Sequence, residues 1–237
     1  MEVFFIKQYR NEWKYICKEA DLTQISEKLS GILQKDANGD DGRYEIHSLY
    51  FDEFKNSCIM DNNAGLSERY KYRIRYYGNS HGSLKLERKE KYNGMCCKQS
   101  CNISQDTFQK LMDKKTEEVF WEAEDNVLKK FCIDIMTKLF EPKVIIDYER
   151  TAYVEPITNV RITLDRNISA AYDTDSFLDG GYQRYPVQKK NEHVLEVKFD
   201  YILSGYIKNI IANELPAQTS FSKYYLGRSK LRNMGII

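Results

Sequence analysis

Cations recur at every second position in several stretches of this chain. In Tyr70-Lys71-Tyr72-Arg73-Ile74-Arg75-Tyr76, three cations alternate with aromatic and aliphatic groups. A β-strand sends successive side chains to opposite faces, so Lys71, Arg73 and Arg75 share one face. The same spacing puts Lys85, Glu87, Lys89 and Lys91 together, and Glu196 with Lys198 opposite Leu195, Val197 and Phe199. Arg161, Thr163 and Asp165 oppose Ile162 and Leu164, while Glu12 and Lys14 oppose Trp13, Tyr15 and Cys17. One such strand is ordinarily a solvated sheet face. Repetition from strand to strand is different, because adjacent like charges repel unless an anion lies among them. A polyanion is the natural occupant, with Arg forks and Lys point charges suited to phosphate oxygens. Glu12, Glu87 and Glu196 add oxygen donors for a divalent ion that bridges phosphates.

Other chemistries find little support. His47, His81 and His193 are scattered, and the six Cys form no Cys-x-x-Cys pair, so they read as reduced thiols. No Walker loop, glycine-rich dinucleotide fingerprint or kinase signature is present. The stretch 36–42 resembles a calcium loop, but Asp41 and His47 occupy the positions that require Gly and Glu.

The elements that must carry these faces are mostly strands. Alternation and β-rich composition predict strands at 10–17, 44–51, 70–77, 83–91, 94–102, 143–154, 160–167 and 193–199. Helical stripes appear at Leu22, Ile25, Leu29 and Ile32, and at Phe108, Leu111 and Met112 behind a Ser104 cap. A longer stripe runs Phe120, Ala123, Val127, Phe131 and Ile135, stopping before Pro142. A fourth joins Leu203, Tyr206, Ile207 and Ile210, and Ser222 caps a short basic helix to about residue 232. Arg228, Lys230 and Arg232 read as its solvated face, and Asp165 as a partner for Arg161 or a backbone amide. Polar loops are expected at 36–42 and 172–191, with Tyr70, Tyr72 and Tyr76 packing helices on the outer surface.

These elements predict an α+β domain built on a closed eight-stranded antiparallel β-barrel with helices packed outside, because closure removes exposed edges. A cationic lining would make it a tunnel that excludes duplex nucleic acid. The chain of 237 residues has 36 Lys+Arg against 35 Asp+Glu and is 42% hydrophobic, enough for one core and against disorder. No apolar run is longer than residues 3–6 and no signal-peptide pattern is present, so a soluble, unexported, cytoplasmic chain is expected. Lacking a composition break or linker, residues 1–237 are expected to be a single domain.

At these positions the sequence resembles the VTC (vacuolar transporter chaperone) catalytic domain, the polyphosphate polymerase branch of the triphosphate tunnel metalloenzymes. The resemblance is carried by Tyr-Arg-Asn-Glu-Trp-Lys-Tyr around Lys14, Ser-Leu-Tyr-Phe-Asp from Ser48, Lys-Tyr-Arg-Ile-Arg-Tyr-Tyr-Gly from Lys71 and Leu-Glu-Arg-Lys-Glu-Lys from Leu86. Tyr-Glu-Arg-Thr-Ala-Tyr from Tyr148, Arg-Ile-Thr-Leu-Asp from Arg161, Leu-Glu-Val-Lys-Phe from Leu195 and Ser-Phe-Ser-Lys-Tyr from Ser220 complete it. It implies transfer of the γ-phosphate of ATP onto inorganic polyphosphate, assisted by Mn²⁺ or Mg²⁺. Lys14, Arg73, Arg75, Lys89, Arg150, Arg161 and Lys223 would hold the reacting phosphates. Lys71, Lys98 and Lys198 would add substrate contacts. Glu196 would bind the metal, with Glu87 and Glu12 as further metal candidates. Hydrolytic tunnel enzymes resemble one another in a Glu-x-Glu-x-Lys signature on the first strand; Arg10 stands here in place of its first Glu, which favours transfer over hydrolysis. Hydrolysis of a triphosphate and a non-catalytic polyphosphate- or nucleotide-binding module are the alternatives. Coupling to polyphosphate translocation would require a separate membrane protein.

Overall fold

The computed structural model describes residues 8–39, 41–78 and 80–237. The apolar run at 3–6 lies outside the described residues. In chain order the elements begin β1 (Asn11–Lys18), α1 (Glu19–Ser30), β2 (Gln34–Lys35), β3 (Arg43–Asp52), α2 (Ser57–Asn63), β4 (Arg69–Tyr77), β5 (Ser80–Tyr92) and β6 (Met95–Ile103). There follow α3 (Gln105–Met112), α4 (Thr116–Glu122), α5 (Asn126–Lys138), β7 (Glu141–Glu155), β8 (Val160–Ala171), β9 (Tyr185–Pro186), β10 (Glu192–Phe199), α6 (Gly205–Glu214) and α7 (Lys223–Asn233).

The eight long strands coincide with the eight read from alternation. They form one antiparallel ladder in the order β1-β10-β8-β7-β3-β4-β5-β6, with β2 paired to β7 and β9 to β8. The sheet curls into a half-barrel. The expected closed ladder is not what the described residues form: the backbone pairing between the β1 and β6 edges is the single bridge of Arg10, just before β1, with Cys96. That bridge has N···O distances of 2.9 and 3.0 Å.

The outer face buries the apolar half of each alternation. Trp13, Tyr15, Cys17, Ile162, Leu164, Leu195, Val197 and Phe199 pack on Leu22, Ile25 and Leu29 of α1 and Ile207 and Ile211 of α6. Across the sheet, Tyr72 and Phe51 meet Phe131 of α5 with ring centroids 4.7 and 4.9 Å apart. The single long stripe from Phe120 is broken: Ala123 is extended and Asp125 caps α5, accepting from Val127 N at 2.6 Å. An Asp that satisfies an orphan helix N–H starts a new helix despite continuous apolar spacing. Ile32 lies beyond α1 and is exposed.

The last helix, α7, packs on the inner face. Gly227 lies against Ile146 and Ala170, where an added Cβ would overlap the Ile146 side chain. Ser222 caps α7 by accepting from Tyr225 N at 3.3 Å. Buried Asp52 at the end of β3 accepts from Cys58 N at 2.9 Å, from Ile59 N at 3.2 Å and from the Tyr224 hydroxyl. One carboxylate thereby joins β3, the start of α2 and α7. The basic face of α7 is not wholly solvated: Arg228 donates to Asn56 Oδ1 at 2.9 Å. Among the described residues no helix is long and apolar enough to cross a membrane.

A cation-lined cavity as the candidate functional site

The polar half of each alternation surrounds a cavity of about 1630 Å³ on the concave side of the sheet. Lys71, Arg73 and Arg75 project into it from β4, Lys89 from β5, Lys98 from β6 and Arg150 from β7. Arg161 enters from β8, Lys198 from β10, Lys14 from β1 and Lys223 from the first turn of α7. All ten predicted cations therefore meet in one cavity. Period-two spacing collects them because eight strands curl toward a common side.

Two carboxylates lie beneath the cations and hold them in place. Glu87 is fully buried, with Arg73 at 2.6 Å, Lys98 at 3.1 Å and Arg75 at 3.6 Å. Burial pushes its pKa up, but Arg73 and Arg75 more than reverse this and hold the carboxyl well below the usual range. Asp165 is likewise fully buried: Arg150 grips it bidentately at 2.7 and 2.8 Å, and Lys223 binds it at 2.6 Å. Its expected partner Arg161 instead pairs with Asp36 and donates to Tyr44 Oη at 2.9 Å. The reason is geometric. Arg150 lies directly across the ladder from Asp165, whereas Arg161 is four residues along the same strand.

Glu12 and Glu196 line the cavity itself. Glu12 bonds Lys89 at 2.7 Å, with Lys14 at 3.1 Å and Lys198 at 3.8 Å. Burial raises the Glu12 pKa, and Lys89 and Lys14 outweigh it, so the carboxyl sits well below its usual value. Glu196 lies 3.3 Å from Lys198 and 3.9 Å from Arg150. It faces Lys14 across the β1–β10 ladder, and Glu12 faces Lys198 two pairs along, on the same face, so the two carboxylates are diagonal neighbours. Burial also strains some cations. Lys71 is pushed down to about 8, partly opposed by Tyr50. Lys198 is pushed down to about 8, opposed by Glu196 and Glu12.

Sequence reasoning did not nominate the tyrosines of this wall. Tyr50 Oη accepts from Arg73 at 2.8 Å, and Tyr148 Oη accepts from Arg75 at 3.2 Å. Burial raises the Tyr50 pKa, but Arg73, Lys71 and Arg75 overcome it and pull the phenol down to about 7. The available signal was alternation on the neighbouring strands, which puts Tyr50 and Tyr148 on the cationic face. Asp36 carried no such signal, since it reaches Arg161 from a loop.

The ten cations are met by Glu12, Glu87, Asp165, Glu196 and Asp36, which leaves positive charge in excess in a concave, half-enclosed space. Such a site concentrates anions, and its cations are spread over several strands rather than gathered for one phosphate. Among the described residues no group of three or more His, Cys, Asp or Glu forms a metal cage. A divalent ion that binds through one or two carboxylates plus phosphate oxygens needs no such cage, and Glu196, whose nearest cations lie at 3.3 and 3.9 Å, fits that donor set. Glu12 would join it by exchanging the Lys89 contacts on its two oxygens at 2.7 and 2.8 Å. Glu87 has its oxygens engaged by cations beneath the lining.

Fold and site together define a class of protein: an antiparallel sheet curled about a cationic cavity that suits a chain of phosphates. The family model of the VTC domain matches residues 9–232, and the chain belongs to the VTC domain family. Among solved structures it is similar to HpAC1 from Hippeastrum, a proposed adenylyl cyclase described as having a dominant triphosphatase activity. The two share 14% identity over 94% of this chain and 95% of that one, with a TM-score of 0.57. A proposed adenylate cyclase from Bacillus halodurans is similar at 10% identity over 91% and 95% of the two chains, with a TM-score of 0.55. At these identities the likeness shows the fold. No curated protein sequence matches the chain.

Proposed function

We propose that residues 1–237 form a single tunnel domain acting as a cytoplasmic, metal-dependent polyphosphate polymerase. It transfers the γ-phosphate of ATP to the end of an inorganic polyphosphate chain. The observation that carries this reading is the convergence of ten cations from seven strands and one helix on one cavity.

In the proposed reaction a terminal phosphate oxygen of the growing chain attacks the γ-phosphorus. The bond to the β-phosphate oxygen breaks, so ADP leaves as the chain lengthens by one phosphate. Such transfer depends on alignment and charge stabilisation more than on covalent help from the protein. Arg73, Arg75, Lys89 and Arg150 hold the donor and acceptor phosphates in line, with Glu87 anchoring Arg73 and Arg75 from below, Asp165 anchoring Arg150, and Glu12 pairing with Lys89. Lys14, Arg161 and Lys223 extend that grip, and Lys71, Lys98 and Lys198 neutralise the remaining charge. A bound Mn²⁺ or Mg²⁺, held by Glu196 and Glu12, would supply further neutralisation of phosphate oxygens. Transfer rather than hydrolysis is supported at Arg10, which pairs with Asp200 at 2.7 Å and offers no base for water. The second reading, hydrolysis of a triphosphate, is supported by the fold shared with HpAC1, whose described dominant activity is that of a triphosphatase.

The test is incubation of the purified chain with ATP and Mn²⁺, followed by a polyphosphate gel and a free-phosphate assay. A ladder of long chains that Glu196→Gln abolishes is the expected result. Free phosphate without a ladder would replace the polymerase with a hydrolase. Bound polyphosphate with neither product would leave a binding module.

A further inference from the structure

The cavity has one aromatic wall that phosphate binding does not explain. Of the aromatic side chains lining it, Tyr44, Tyr50, Tyr148 and Phe221 are buried and Tyr70 and Tyr225 half-buried, whereas Tyr77 is 38% exposed. Tyr77 ends β4, two residues beyond Arg75 and four beyond Arg73, and its register against Ile46 keeps it on the cationic face. Its ring is held on two sides. Tyr44 packs edge-on, centroids 5.8 Å apart at 66°, and the Arg75 guanidinium carbon lies 5.8 Å from its centroid. Tyr44 is itself fixed by the Arg161 guanidinium at 2.9 Å. An oriented, open aromatic face thus sits at the rim immediately before the row Arg75, Arg73, Lys71.

We propose that Tyr77, backed by Tyr44, is a nucleobase platform that stacks the base of the donor nucleoside triphosphate. The proposal rests on reading the cavity as the site for that donor. Residues two apart on a strand are displaced by about 7 Å. That step accommodates the sugar between a base on Tyr77 and the first phosphate at Arg75, with the γ-phosphate further in toward Arg73 and Lys71. Since in-line transfer requires the acceptor opposite the leaving group, the growing chain lies on the far side, toward Lys71 and Lys14. Stacking tolerates any base, so the platform selects nucleotides over bare triphosphate and discriminates weakly among bases.

Calorimetric binding without divalent metal, where no turnover intervenes, tests this with ATP and inorganic triphosphate as paired probes. Tyr77→Ala is expected to weaken ATP binding about tenfold or more, while its triphosphate binding stays within about twofold of the wild type, within ordinary surface-mutation effects. Tyr77→Phe, which keeps the ring, should bind both as the wild type does. Equal loss of ATP and triphosphate in Tyr77→Ala, or no loss of either, overturns the platform. Wild-type protein that binds ATP no better than triphosphate also overturns it. Binding of neither overturns the reading of the cavity as well. Absence of a polyphosphate ladder bears on the polymerase alone, because this contrast is measured without catalysis.

Discussion

Replacing Glu87 with Gln separates two roles for that residue, a metal ligand and a charge anchor. The carboxylate is fully buried and contacts Arg73 at 2.6 Å, Lys98 at 3.1 Å and Arg75 at 3.6 Å. Removing one partner of a buried ion pair costs about 3–5 kcal/mol, because the remaining charge is left uncompensated. In a chain of this size each kcal/mol moves the melting temperature by about 2–4 °C, so Glu87→Gln should melt about 6–20 °C below the wild type. The carboxyl is held below its usual range, so its contribution is complete above the ordinary carboxylate pKa and disappears as pH falls through the lower folded value. The full loss is therefore present at pH 7. A bound polyanion would compensate the freed cations, so saturating triphosphate should raise the melting temperature of the variant more than that of the wild type. Thermal and urea unfolding with and without triphosphate, alongside Mn²⁺ titration, provide the assay. A variant within about 1 kcal/mol of wild-type stability in anion-free buffer would refute the anchor argument. Unchanged stability with lost Mn²⁺ affinity would return Glu87 to the metal ligands.

Arg75→Ala removes a buried guanidinium from the middle of the phosphate row and should weaken binding of long polyphosphate by about ten- to a hundredfold. The slope of log affinity against log salt should become shallower by about 0.7, and an unchanged slope would mean that Arg75 does not contact the chain. Arg161→Ala should act in the same direction but more weakly, since Asp36 already neutralises that cation. With Tyr50 pulled down to about 7 and Lys71 and Lys198 to about 8, the empty cavity loses positive charge as pH rises through this range. Polyphosphate affinity measured at constant salt should fall from pH 7 to 9. Over the interval from about 8 to the ordinary lysine value, the unfolded chain binds more protons at Lys71 and Lys198, so these two groups favour the anion-free fold increasingly with pH. Affinity rising with pH would contradict the assignment. Gly227→Ala puts a Cβ into Ile146 and 3.2 Å from Ala170, which should cost about 1–3 kcal/mol and loosen α7 with Lys223. Chemical unfolding of Gly227→Ala in the wild-type and in the Ile146→Ala background checks this, since the cost of Gly227→Ala should be smaller where Ile146 is already truncated.

Much of the site was legible because strand alternation is a local property. Lys71, Arg73 and Arg75 share a face whatever the rest of the chain does, and the opposing Tyr72, Ile74 and Tyr76 are buried on the other side. Charge pairing was not legible in the same way. Alternation puts Glu87 beside Lys85 and Lys89 on its own strand, and Asp165 is expected to pair with Arg161 or a backbone amide, yet their partners come from neighbouring strands and from α7. Cross-strand neighbours lie about 5 Å apart and same-face neighbours on one strand about 7 Å, so partners are chosen by the ladder order. The split between α4 and α5 escaped for a related reason: apolar spacing continues across Ala123, and only the backbone and the Asp125 cap reveal the break.

The sequence by itself determined which side chains face the same way: eight alternating strands, their cationic and apolar faces, and the Ser104 and Ser222 caps. These follow from the fixed geometry of strand and helix over a few residues. The family resemblance, too, was present in the order of short motifs along the chain. Only the tertiary structure decided which faces meet. It brought ten cations from distant segments around one cavity, placed Glu87 and Asp165 beneath them, set Glu12 and Glu196 in its wall, and put α7 on the inner face beside Asp52. Strand order and curl make those choices, because they bring together residues more than a hundred positions apart, a separation on which local periodicity carries no information.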